Sequence, residues 1–163
     1  MPAGLKQSSS VVSIGFTASE AAPNVLAQNV VDLNLSPLDR EVFVVLAINL
    51  DCSTPEFVAG TTTQVRAGLT TTSQTAMPQL SDSNCLARLS NTIRSTGTDA
   101  VSFASGALET PPATLSYIGI IATNDFFVQV QGTGNVATSS MTGKLYGYRA
   151  TASADIFAAL VQS

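Results

Sequence analysis

Histidine and tryptophan are both missing from the 163 residues. Without an imidazole there is no Ser-His-Asp or Cys-His arrangement, and the commonest general base and metal ligand is gone. A serine–lysine pair would need Lys6 or Lys144. One lies in a tail and the other on an outward strand face, and neither setting buries an amine enough to lower its pKa. Charge is also scarce, at 11% of residues against about 25% in ordinary soluble domains. The seven basic residues, Lys6, Arg40, Arg66, Arg88, Arg94, Lys144 and Arg149, are scattered along a chain of net charge −4. Nucleic-acid binding through phosphates needs clustered cations, so no direct nucleic-acid partner is expected. The two cysteines, Cys52 and Cys85, form no C-x-x-C pair, and a zinc site is not expected. They either pair with each other or stay as free, buried thiols, the plainer reading. No run approaches the roughly 20 apolar residues of a membrane helix, so no membrane span is expected. The N-terminal MPAGLKQSSS has no apolar core of a secretory signal.

What is present is patterned for strands. Glu41–Asp51, EVFVVLAINLD, is apolar at every position from Val42 to Ile48. It reads as a strand covered on both faces, with Val42, Val44, Leu46, Ile48 and Leu50 pointing one way and Phe43, Val45 and Ala47 the other. The turn Ser36-Pro37-Leu38-Asp39 leads into it. Alternation also marks Val11–Ala18, Val31–Leu35 and Thr61–Ser73, where Val65, Ala67 and Leu69 oppose Gln64, Arg66 and Thr70. Further strands are expected at Val101–Phe103, Thr114–Ala122, Phe126–Gln131 and Met141–Thr151, with a turn at Glu109–Pro112. One segment departs from period two: Cys85, Leu86, Leu89 and Ile93 fall at helical spacing, with Ser81 or Asp82 as cap and Gly97 as stop, predicting a short helix over Asp82–Arg94.

The expected fold is all-β: an eight-stranded antiparallel sandwich of jelly-roll type with one short inserted helix. It divides into an N-terminal arm (1–10), the sandwich (11–152) and a docking segment (153–163). Ser153–Val161 is either a helix capped by Ser153 or an extended arm, and its Ile156, Phe157, Leu160 and Val161 are too apolar to stand in water.

Candidate chemistry is thin. The carboxylates Asp39 with Glu41, and Asp51 with Glu56, flank turns and strand ends, where acids belong. Asp82-Ser83-Asn84 lacks the Gly and closing Glu of a calcium loop. No cofactor, no metal and no catalysis are expected. Tyr146 and Tyr148, two apart on one strand face with Lys144, offer a stacking platform for sugar rings; packing across strands or into a subunit contact is the plainer alternative.

The run LSPLDREVFVVLAINLD, a Thr-rich strand, the helical insertion and the closing DFFVQVQGTGNVATSSMTGKLYGYRA resemble, in layout and composition over Val11–Thr151, the small single jelly-roll proteins of viral shells. The resemblance implies a virion structural protein, assembled in the host cytoplasm, that packs against copies of itself or other shell proteins through charge-poor sides. It implies termini that reach to neighbours, making Met1, Leu5, Ile156, Phe157, Leu160 and Val161 the expected assembly residues. The absence of a basic arm departs from genome-packing members and leaves room for an outer decoration or cement role. A glycan-binding or host-attachment module built on Tyr146 and Tyr148 is the alternative from another class.

Overall fold

The computed structural model describes residues 3–105, 108–109 and 116–162. Eleven strands and one helix are found among them: β1 (Leu5–Gln7), β2 (Val12–Ser19), β3 (Ala27–Asp32), β4 (Glu41–Cys52), β5 (Thr63–Thr70), β6 (Cys85–Ser95), β7 (Ala100–Ser105), β8 (Leu108–Glu109), β9 (Gly119–Ile121), β10 (Asp125–Thr133), β11 (Ser140–Ala152) and α1 (Ala154–Gln162). The expected turn at Glu109–Pro112 and the first half of the expected strand Thr114–Ala122 lie outside the described residues.

Two antiparallel sheets face each other as a sandwich. The first has β4 and β11 at its centre, with β1 and β2 beyond β11, and β8 and β9 beyond β4; the second runs β3-β10-β5-β6-β7. The pairings are nested: β2 with β11, β3 with β10, β4 with β9, β5 with β6. Counting from β2, first pairs with last, second with next to last, and so inward, and the chain alternates between the two sheets from β2 to β5. That wrapping is a jelly roll. The three strands above the expected eight are β1, β6 and β8.

Between the sheets lies one apolar core holding Phe16, Leu33, Phe43, Ile48, Leu69, Phe126 and Leu145. Phe16 and Phe126 meet edge to face, centroids 5.7 Å apart at 81°, a geometry worth about 1 kcal/mol beyond burial. The Ser36–Asp39 turn forms as expected, with the Arg40 amide donating to the Pro37 carbonyl at 3.1 Å and the Glu41 amide to that of Ser36 at 3.0 Å.

Two expectations are corrected. Asp82–Arg94 is not a helix: from Cys85 it is strand β6, paired on both sides, with β5 and β7. Its true alternation sends Ala87 and Leu89 into the core. The helical spacing comes from Leu86, which is passed over where Thr70 pairs with Cys85 and Leu69 with Ala87; one bulge residue turned a period of two into an apparent three-and-a-half. Asp82 caps a turn instead, its carboxylate accepting the Gln79 amide at 3.0 Å. The one helix among the described residues follows the sandwich rather than interrupting it.

The second correction is inside β4. Tyr146 pairs with Ala47 and Gly147 with Val45, so Leu46 has no partner on β11. This bulge inverts the alternation. Phe43 and Val45 face the inter-sheet core, and so do Ile48, Leu50 and Cys52, while Val42 and Val44 face the other way into a second apolar cluster. Ile48 and Leu50 therefore do not share a face with Val42 and Val44.

Candidate assembly surfaces

The second cluster sits on the outer face of the first sheet. Val42, Val44, Tyr148, Ala150 and Ala152 form its floor, and Leu5, Tyr117, Ile120, Phe157 and Leu160 pack against them. Both chain ends converge here. β1 pairs with the end of β11, Leu5 opposite Ala152, and the Ser153 amide donates to the Gly4 carbonyl at 3.1 Å. α1 starts one residue after β11, with the Ile156 amide donating to Ser153 Oγ at 3.4 Å and Asp155 in the first turn, where a carboxylate complements the helix dipole. Gly4, at φ 81°, fits under Ile156: a Cβ there would stand 2.8 Å from Ile156 Cγ1. Of the expected assembly residues, Leu5, Phe157 and Leu160 pack on their own chain's sheet, Ile156 and Val161 stay exposed, and Met1 lies outside the described residues.

Tyr146 and Tyr148 do share the outer face of β11, since Leu145 before them is buried in the core and a Cβ on Gly147 between them would face the core residue Phe43. They differ in access. Tyr148 is 7% exposed and belongs to the floor beneath α1; burial pushes its phenol above the usual tyrosine range. Tyr146 is half-buried beside Asn49, Asp51 and Lys144. The two rings do not form one open platform.

A second surface escaped the sequence reading. At one end of the sandwich three loops are knotted by polar side chains. The Asn135 amide nitrogen of the backbone donates to Asn24 Oδ1 at 3.0 Å, Asn24 Nδ2 returns to the Asn135 carbonyl at 2.9 Å, and the Glu56 amide donates to Asn135 Oδ1 at 3.1 Å. Asn135 Nδ2 reaches the Gln64 carbonyl at 2.9 Å. Glu56 Oε1 accepts the amides of Val136 and Ala137 at 2.9 and 2.5 Å. Beneath them Glu20, only 6% exposed, accepts the amides of Gly132 at 3.1 Å and Ser139 at 2.6 Å. Gly132 is required there because a Cβ would stand 2.5 Å from Asn135 Nδ2 and 2.9 Å from Ser139 Oγ. The residue after each corner of the knot is apolar and exposed: Val25 at 52%, Phe57 at 59% and Val136 at 73%.

The acids weighed earlier as pairs are thus separately employed. Glu56 holds the β10–β11 loop, Glu41 Oε1 lies 3.8 Å from Arg149 Nε, and Asp39 and Asp51 are exposed. No group of three or more His, Cys, Asp or Glu among the described residues is placed to hold a metal, and no described helix is long and apolar enough to cross a membrane. Cys52 and Cys85 are not joined by a disulfide. Cys52 is buried, with Asn91 Nδ2 3.2 Å from its Sγ, and burial followed by the Asp51 charge pushes its pKa up to about 11.

At the margin of the second sheet, β7 presents Val101 and Phe103, 64% and 53% exposed. A groove of about 450 Å³ beside them is lined by Thr62, Arg94, Asp99, Val101 and Phe103.

No family model matches the sequence, and no curated protein does. Among solved structures the chain is similar to one from tomato aspermy virus (14% identical, covering 90% of this chain and 79% of that chain, TM-score 0.37). It is similar also to one from a semi-empty virus-like particle of the nodavirus of the giant freshwater prawn Macrobrachium rosenbergii (10% identical, 93% and 97% covered, TM-score 0.37). A third is from desmodium yellow mottle tymovirus (12% identical, 94% and 95% covered, TM-score 0.29). Its structural neighbours thus include chains of several virus particles.

Proposed function

We propose that this chain is a virion structural protein, a shell tile or a decoration or cement protein bound to a shell, that assembles with copies of itself or with other shell proteins. It works in the virion, assembled in the host cytoplasm, by cohesion rather than by catalysis. The observation that carries this reading is the knotted loop end. An isolated exposed apolar residue means little. Here Val25, Phe57 and Val136 are each anchored by the preceding residue to the same hydrogen-bonded frame, so docking them against a neighbour costs little ordering entropy. The low charge of the chain supports the same reading, because ionised groups are depleted at the centres of protein contacts. The terminal clamp adds a second contact region, where Ile156 and Val161 on α1 stay exposed beside a filled apolar floor.

Negative-stain micrographs of the purified chain, alone and with Phe57→Ser/Val136→Ser, test the proposal. Regular particles or sheets from the wild type, lost in the double variant while its circular dichroism is unchanged, are expected. Dispersed single molecules from wild type across salt and concentration series would refute it.

A further inference from the structure

The outer face of the second sheet carries three of the chain's seven basic residues and almost no acid. Arg66 on β5, Arg88 and Arg94 on β6 point away from the core, alternating with Val65, Ala67, Ala87 and Leu89, which point into it. Arg66 pairs with Ser90 and Gly68 with Arg88, which makes the two arginines diagonal neighbours on adjacent strands, roughly 7–8 Å apart at their base. Acids on this face stand far off: Asp32 and Asp125 pair with each other, and Asp125 is six residues along β10 from Gln131, the partner of Arg66, or about 20 Å.

Neither guanidinium has a counter-charge among the described residues. Arg66 donates only to Gln131 Oε1 and Thr133 Oγ1, both at 3.3 Å. The Nε atoms of Arg66 and Arg88 are both sealed from solvent with no acceptor. Burial and the nearby Arg88 charge lower the pKa of Arg66. Gly68, flanked by both, is roofed by the β5–β6 loop, Pro78 Cγ standing 3.0 Å and Met77 Cε 3.5 Å from the position of a Cβ. Buried donors without acceptors are costly, and guanidinium forks match oxyanions in geometry as well as charge.

We infer that Arg66 and Arg88 form a site for a small tetrahedral oxyanion, inorganic phosphate or sulfate, with the Thr133 hydroxyl beside it. A dianion offsets two positive charges, and its oxygens can serve both forks at once. The third arginine, Arg94, is six residues along β6 from Arg88, about 20 Å away, and is outside the site.

Thermal unfolding of the full chain in phosphate, sulfate and chloride at matched ionic strength tests this. Phosphate and sulfate raise Tm generally and without saturation, through exclusion from the protein surface, so the readout is a saturable increment specific to the site. Wild type and Arg94→Gln are expected to gain roughly 5–10 °C at a hundredfold excess over Kd, and Arg88→Gln to retain only the unsaturable slope. A ³¹P NMR titration of wild type checks the site without relying on a variant's folding: the phosphate line broadens saturably if the site is occupied. An unbroadened line, an Arg88→Gln response equal to wild type, or a response to a single-stranded oligonucleotide with none to inorganic phosphate would each overturn the inference.

Discussion

Glu56 and Val136 are 80 residues apart in the chain and joined by a 2.9 Å hydrogen bond, the carboxylate accepting the amide in the β10–β11 loop that passes between the sheets. The same oxygen takes the Ala137 amide, so one acid orients a two-residue nest and sets the direction of the exposed Val136 side chain. Replacing Glu56 with Ala removes two charge-assisted bonds, each class of which contributes about 1.5–3 kcal/mol. With these bonds at the solvent-accessible, low end of that range, we expect Glu56→Ala to lower Tm by roughly 6–12 °C and to raise amide exchange at Val136 and Ala137 selectively. Unchanged exchange there would show that the loop holds its shape without the carboxylate.

Gly147 makes a second test, inside the sheet. It is the β11 residue opposite the β4 bulge, and a Cβ on it would collide with the Val44 carbonyl oxygen and stand 2.5 Å from Phe43 Cε1. A backbone atom cannot step aside as a flexible side chain can. Gly147→Ala is expected to cost at least the 1–3 kcal/mol typical of overpacking, read as a loss of urea midpoint. Gly15→Ala, where nothing stands within 4 Å of the added carbon, is the matched control and should be near neutral.

The Cys52 thiol gives a pH prediction with a definite sign. Its pKa in the fold is about 11 against an ordinary 9.0, so the folded state holds a proton that the unfolded state releases. Its contribution to stability is complete below pH 9 and is lost as pH rises through 11. Chemical denaturation from pH 8 to 11 should show the midpoint falling, and the fall should shrink in Cys52→Ala. At pH 8 a thiol-specific reagent should modify Cys85, which is half-buried, well ahead of Cys52.

Removal of Ser153–Ser163 bears on stability as well as on assembly, because Phe157 and Leu160 pack with Val44 and Tyr148. Half-burying two such side chains is worth about 1–2 kcal/mol each. The truncated chain should therefore lose roughly 5–10 °C in Tm and bind more of a hydrophobic dye, whereas Val161→Asp, at an exposed position, should leave both unchanged. A truncation with wild-type Tm would mean the helix adds nothing to its own sheet.

Much of this architecture can be read along the chain. The central strand, the Ser36–Asp39 turn and the Ser153 cap each announce themselves within a dozen residues, because local spacing and turn chemistry decide them. The two errors share a cause: Leu46 and Leu86 are bulge residues, and each shifts the phase of an otherwise regular alternation, which only the partner strand reveals. The loop knot was invisible for a different reason. Asn24 and Asn135 are 111 residues apart, and each alone looks like an ordinary turn residue. Nested pairing brings them together, and nothing local predicts it. Arg66 and Arg88 are likewise plain surface arginines until β5 and β6 are set side by side.

The central claim is that this chain exists to pack against neighbours through its knotted loop end. Light scattering coupled to size exclusion tests it most directly, run on wild type and on Phe57→Ser/Val136→Ser at equal concentration. The account predicts an assembly many times the 16.8 kDa chain mass for wild type, and a collapse toward that mass in the variant with Tm preserved. A wild type that elutes at the mass of one chain at every concentration and ionic strength would contradict it.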